Sequence, residues 1–176
     1  MSTSPKEPVE APTSNEVSSD DSLPAYDISK APGRSEDHLR ITLPVYYTQT
    51  FKTKKDKTFL VGMNWLRVSH RYLQNKVKQD YSDIITPSLV ASNFKLKGTY
   101  EVAYVYYYKN KASDLLNVGA LMSKYFLDAA QKAGVVVEDN VQYCLKESFY
   151  AGTQDRENPR VEIFIRAYTK KDTNDN

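Results

Sequence analysis

The run from Ser113 to Gly134 constrains this chain most, because it reads as one amphipathic helix with a start, a stop and carboxylates at both ends. Val118, Leu121, Met122, Tyr125 and Ala129 fall on one stripe at helical spacing, while Ser123, Lys124, Asp128, Gln131 and Lys132 lie elsewhere. Ser113 or Asp114 can cap the first turn, and Gly134 suits the left-handed position just past a helix end. Val135, Val136 and Val137 then start a short apolar segment, and Glu138, Asp139 and Asn140 follow it as a turn.

Around this helix the pattern is that of an α+β domain. Residues 98–108 are the clearest strand: Tyr100, Val102, Tyr104, Tyr106 and Tyr108 alternate with Glu101, Ala103, Val105 and Tyr107. Tyrosines at such positions can stack unpaired bases, but β-propensity and half-buried packing account for them more economically. A strand is expected over residues 40–50, with Ile41, Leu43 and Val45 on one face and Pro44 marking an edge or a bulge. Residues 51–57 read as a loop whose Lys52, Lys54, Lys55 and Lys57 can contact phosphates or simply be solvated. Residues 64–85 read as a helix, with Trp65, Val68 and Tyr72 on its apolar spacing and Arg67, Arg71, Lys76 and Lys78 on its polar side, a plausible DNA-backbone surface. Two further strands, residues 141–150 and 160–168, complete a sheet in the order strand, helix, strand, helix, strand, strand.

At 176 residues, 26% charged and 40% apolar, the chain reads as one domain with tails. Its segments are an acidic Ser/Pro-rich tail (1–38), a folded domain (39–168) and a polar C-terminal tail (169–176). No apolar run approaches the ~18 residues of a membrane span, and no charged-then-apolar leader opens the chain, so it is expected to stay in the cytoplasm. One cysteine, Cys144, excludes an internal disulfide framework; with two histidines, His38 and His70, no zinc constellation is available. Cys144 sits in an alternating run with Val141, Tyr143 and Leu145, an ordinary strand position.

The net charge of +2 conceals a division. Residues 1–37 carry eight acidic and three basic side chains, which leaves 21 basic and 14 acidic on the rest. The tail is expected to be disordered, since it has too few apolar groups to offset its ordering entropy. It is either a solvating segment or a competitor with nucleic acid for the basic body.

The two acidic clusters flanking the helix have an ordinary reading, as a cap and a turn, and a chemical one. Hard oxygen ligands converging from such loops suit Mg or Mn, with water and phosphate completing the shell.

Asp114-Leu115-Leu116-Asn117, Leu127-Asp128-Ala129, Ala133-Gly134-Val135 and Glu138-Asp139-Asn140, in that order, resemble the RusA family of phage and prophage Holliday-junction resolvases. The family pattern is roughly Asp-Leu-Asp-Asn, then Leu-Asp-Ala within a helix, Ala-Gly-Val, and an Asp-Asp turn. The Ile41 to Val45 strand resembles the family's opening strand, and Pro159-Arg160-Val161-Glu162-Ile163 its closing one. Val61-Gly62-Met63-Asn64-Trp65 with its basic helix looks like a phage-type variant. The resemblance covers about residues 40–168.

The resemblance implies a RusA-like mixed sheet of about four strands with two main helices. It implies a homodimeric, Mg-dependent endonuclease (Mn as the other metal) resolving four-way DNA junctions in recombination and repair, acting in the host cytoplasm if phage-encoded. Asp114 matches the first motif aspartate, Asn117 the motif asparagine and Asp139 the later aspartate. Asp128 or Glu138 would be a third ligand, and Lys124 is the nearest candidate for the catalytic lysine. Leu116 stands where the family has its second aspartate, and leucine cannot ligate metal. The alternative is therefore a catalytically inactive protein that binds branched DNA without cutting it. A protein-interaction module unrelated to DNA would explain the tail but not the basic body.

Overall fold

The computed structural model describes residues 38–169. The acidic segment 1–37 and residues 170–176 lie outside the described residues, and with them the expectations for the two tails. The architecture is α+β: a mixed four-stranded sheet carrying two long helices, with a short helix and a two-stranded ribbon at one end.

The main sheet runs in the order β1, β6, β4, β5. It is built from β1 (His38–Pro44), β4 (Tyr100–Tyr108), β5 (Cys144–Gln154) and β6 (Arg160–Ala167). β6 pairs antiparallel with both β1 and β4, whereas β4 and β5 run parallel and are joined through α3 (Leu115–Lys132). Parallel neighbours need such a crossover, because a tight turn cannot return the chain to the same end of the sheet.

Period-two alternation decides which side chains enter the core. From β4, Tyr100, Val102, Tyr104 and Tyr106 point to the helices and are buried with Ile41, Leu43, Val161, Ile163 and Ile165. Ala103, Val105 and Phe164 form a smaller cluster on the other face, bordered by Tyr107. The tyrosines of β4 are therefore mostly packing groups: Tyr104 stacks on Phe149 of β5 at 4.9 Å, with 13° between the rings. α3 contributes Val118, Leu121, Met122, Tyr125 and Ala129 to the same core, the stripe expected from spacing. It stops where Gly134 takes φ of 71°.

Three boundaries differ from the sequence expectations. The segment 40–50 is two strands: Pro44 closes β1, and the chain turns at Val45 into a ribbon of β2 (Tyr46–Gln49) and β3 (Lys57–Leu60). The helix expected over 64–85 is α1 (Met63–Val68) and α2 (Arg71–Ser92), broken at Ser69 and His70, both in extended conformation. Val135 to Val137 form a turn, and β5 starts only at Cys144 and continues through Gly152. Val135 N–H bonds back to the Ala130 carbonyl as part of the helix stop, and Leu96 N–H, from the segment after α2, donates to the Val135 carbonyl, which holds this segment out of the sheet.

Candidate nucleic-acid interface

Asp114 is the N-cap of α3: its Oδ1 accepts from the N–H groups of Leu116 (3.0 Å) and Asn117 (3.1 Å). This satisfies two of the orphan donors of the first turn and places a negative charge at the positive end of the helix dipole. Asn117 is also engaged, its Oδ1 accepting from Asn64 N–H at 2.7 Å. A Cβ on Gly62 would stand 2.7 Å from Asn117 Nδ2 and 2.8 Å from its carbonyl, so a residue without a side chain is required where α1 meets α3. Leu116, in the place of the family's second aspartate, is 62% exposed.

The second acidic cluster lies at the other end of α3. Tyr100 Oη donates to the Glu138 carbonyl at 2.9 Å, and Tyr100 is the first residue of β4, whereas Asp114 follows its last. A nine-residue strand spans on the order of 25 Å. Asp114 and Asp139 therefore do not converge within one chain. Asp128 is fourteen positions along α3 from Asp114, about 21 Å at 1.5 Å per residue, and is ion-paired to Lys78 of α2 at 2.6 Å. Lys124, ten positions along, is exposed and about 15 Å from the cap. Among the described residues no three His, Cys, Asp or Glu side chains stand together as a metal-holding group. These carboxylates stand apart within one chain, because the crossover helix holds their loops at opposite ends of the sheet.

Cys144 is partly buried. Burial, reinforced by the Glu147 carboxylate, pushes its thiol up to about 11, so it stays protonated and is not a nucleophile at neutral pH.

The cations fall into two groups. Lys76 pairs with Asp80 at 3.0 Å, and Asp80 also accepts from Tyr47 Oη at 2.5 Å. Lys78 is held by Asp128. Lys78 thus ties α2 to α3, Lys76 pairs within α2, and both have their charge offset. Lys54, Lys55, Arg67 and Arg71 are exposed and make no ion pair among the described residues. Lys54 and Lys55 are on the loop between β2 and β3, Arg67 is on α1 and Arg71 opens α2; the ribbon is fastened to its surroundings where Phe59 of β3 stacks on Trp65 of α1 at 5.1 Å and 11°, Tyr47 packs against Phe59 at 5.5 Å, and Lys109, just past β4, sits over the Tyr46 ring at 5.4 Å. The ribbon and α1 thereby gather at the end of the sheet where β4 finishes and α3 begins.

Two side chains there were misassigned from sequence. Val68 and Tyr72, on the apolar spacing of a single helix, are 85% and 75% exposed. The break at Ser69 and His70 resets the helical phase, so α2 buries Val77, Tyr81, Ile85 and Leu89 instead. Ser69 in mid-run was the available signal, since serine bonds nearby backbone groups and favours helix ends over interiors. No helix among the described residues is long and apolar enough to cross a membrane. Neither a protein-family model nor a curated protein matches the chain.

Proposed function

We propose that this chain is a branched-DNA-binding protein of the RusA resolvase type, engaging phosphates through the basic end of its sheet. The observation that carries this reading is exposed charge on the ribbon loop and around the α1–α2 break: Lys54, Lys55, Arg67 and Arg71 meet no carboxylate among the described residues, while Lys76 and Lys78 do. Exposed, unpaired cations can release condensed counterions from DNA. The choice of a four-way junction as substrate rests on the sequence resemblance, which also supplies the homodimer; two copies would offer two basic ends to one junction.

Binding is supported ahead of cutting. Asp114 serves α3 as its cap, Asp128 is paired with Lys78, and Asp139 is at the far end of the helix. A set of converging carboxylates for Mg or Mn would therefore need two copies, and one chain alone offers them singly. One assay separates the readings: a labelled four-way junction and a matched linear duplex, each incubated with the protein in Mg, in Mn and in chelator. A junction-selective shift without nicks is the expected result. Paired metal-dependent nicks would make the chain an endonuclease, and absence of any shift at low salt would remove DNA as the ligand. The salt dependence provides an independent check, with log affinity falling by about 0.9 per phosphate neutralised.

A further inference from the structure

The α1–α2 elbow combines features that backbone contact alone does not require. Its chain path is braced: Gln74 Nε2 donates to the carbonyls of Leu66 and Ser69, both at 2.7 Å, and Ser69 Oγ donates to the Trp65 carbonyl at 2.6 Å. His70 Nδ1 accepts from Tyr72 N–H at 3.3 Å, which starts α2. On this braced turn Val68 and Tyr72 project into solvent with 85% and 75% exposure. Arg67 and Arg71, each immediately preceding one of these residues, are exposed and have no carboxylate partner among the described residues. An exposed aromatic on a preorganised backbone loses little entropy on binding, and flanking arginines match an anionic polymer that also offers flat apolar faces.

We propose that the elbow is a stacking site for an unpaired DNA base: Tyr72, supported by Val68, takes the base face while Arg67 and Arg71 hold the adjoining phosphates. Paired duplex offers no free base face, whereas a branch point does. The elbow therefore supplies selectivity, and the lysines of the ribbon supply general affinity. This rests on the DNA-binding reading above and names the feature of the DNA that is recognised.

The test uses the full chain and a four-way junction carrying 2-aminopurine beside the branch, with the matched duplex as control. Wild type is expected to change the 2-aminopurine fluorescence. Tyr72→Ala is expected to lose that change and weaken junction binding about 5- to 150-fold, the range for one lost base–aromatic stack, while duplex binding moves less than about twofold. Tyr72→Phe, which keeps the ring, is expected to retain both. Tyr72 is exposed, so these variants should fold, and circular dichroism checks it. Junction affinity and fluorescence unchanged in Tyr72→Ala, with wild type still junction-selective, would overturn the stacking site and leave the DNA-binding reading standing. Failure of wild type to bind either DNA would overturn both. A mass doubling of the wild type that Tyr72→Ala abolishes, with junction binding intact, would make the elbow a contact between copies and overturn the proposal.

Discussion

Gly119→Ala tests how closely α3 is set on the sheet. Alanine in a helix interior is better than glycine by about 1 kcal/mol, so the substitution should stabilise if space allowed it. Space does not: a Cβ at Gly119 would lie 2.5 Å from Phe149 Cδ1 and 3.0 Å from Cε1. The Phe149 ring cannot simply swing aside, because it is stacked on Tyr104, which is fully buried beneath α3. Overpacking of this kind costs about 1–3 kcal/mol, and with a ring constrained on both sides the upper part of that range applies. Subtracting the helix gain leaves a net loss of about 1–2 kcal/mol. In a Phe149→Ala background the obstacle is gone, and Gly119→Ala should then stabilise by about 1 kcal/mol, a coupling of about 2–3 kcal/mol between the two sites. Urea unfolding of the four proteins measures it. A raised midpoint for Gly119→Ala in the wild-type background, or an equal effect in both backgrounds, would refute the packing argument.

Asp114→Ala should cost about 1 kcal/mol through loss of the α3 cap, whereas Asp114→Asn keeps an acceptor oxygen and most of the stability; thermal melts that rank the two equally would deny the cap role. Burial works against ionised Asp80, but hydrogen bonds from Tyr47 and Lys76 outweigh it and hold its carboxyl below the ordinary 3.8. Its stabilising contribution is therefore full above that value and lost as pH falls through the lower folded one. Asp80→Asn should accordingly be destabilised at neutral pH and converge with wild type in strong acid, and parallel curves would contradict this. Glu162 is 2% exposed and its Oε1 binds both Arg40 (2.8 Å) and Arg160 (3.0 Å). Removing it takes one of Arg160's two carboxylates and leaves Asp155 at 2.7 Å, so Glu162→Ala should cost about 1–3 kcal/mol in denaturant titration, and a loss below about 0.5 would show that the pair is dispensable.

Periodicity alone made α3 and β4 readable. Val118 to Ala129 at helical spacing face one core, and the alternation of β4 sends Tyr100, Val102, Tyr104 and Tyr106 to that core and Ala103 and Val105 to a smaller cluster on the other face. Asp114 as a cap and Gly134 as a stop were also legible, because both act within a turn of their own position. The break at Ser69 and His70, and the division of residues 40–50 between a sheet strand and a ribbon, were not. The division depends on partners distant in the chain, Val45 carbonyl to Val61 N–H and Tyr81 Oη to the Pro44 carbonyl, and the break on short-range braces that periodicity does not encode, Ser69 Oγ to the Trp65 carbonyl and Gln74 to the carbonyls of Leu66 and Ser69. The site shows the same split. Sequence supplied the residue types, the carboxylates of Asp114, Asp128 and Asp139 and the cations of α1, α2 and the ribbon. Tertiary structure decided their use, since a crossover helix between parallel strands must separate its two flanking loops by the height of the sheet. It also determined that Lys78 meets Asp128, because charge pairing across elements depends on which faces pack together, whereas the pairing of Lys76 with Asp80, four residues on in the same helix, is a local pattern.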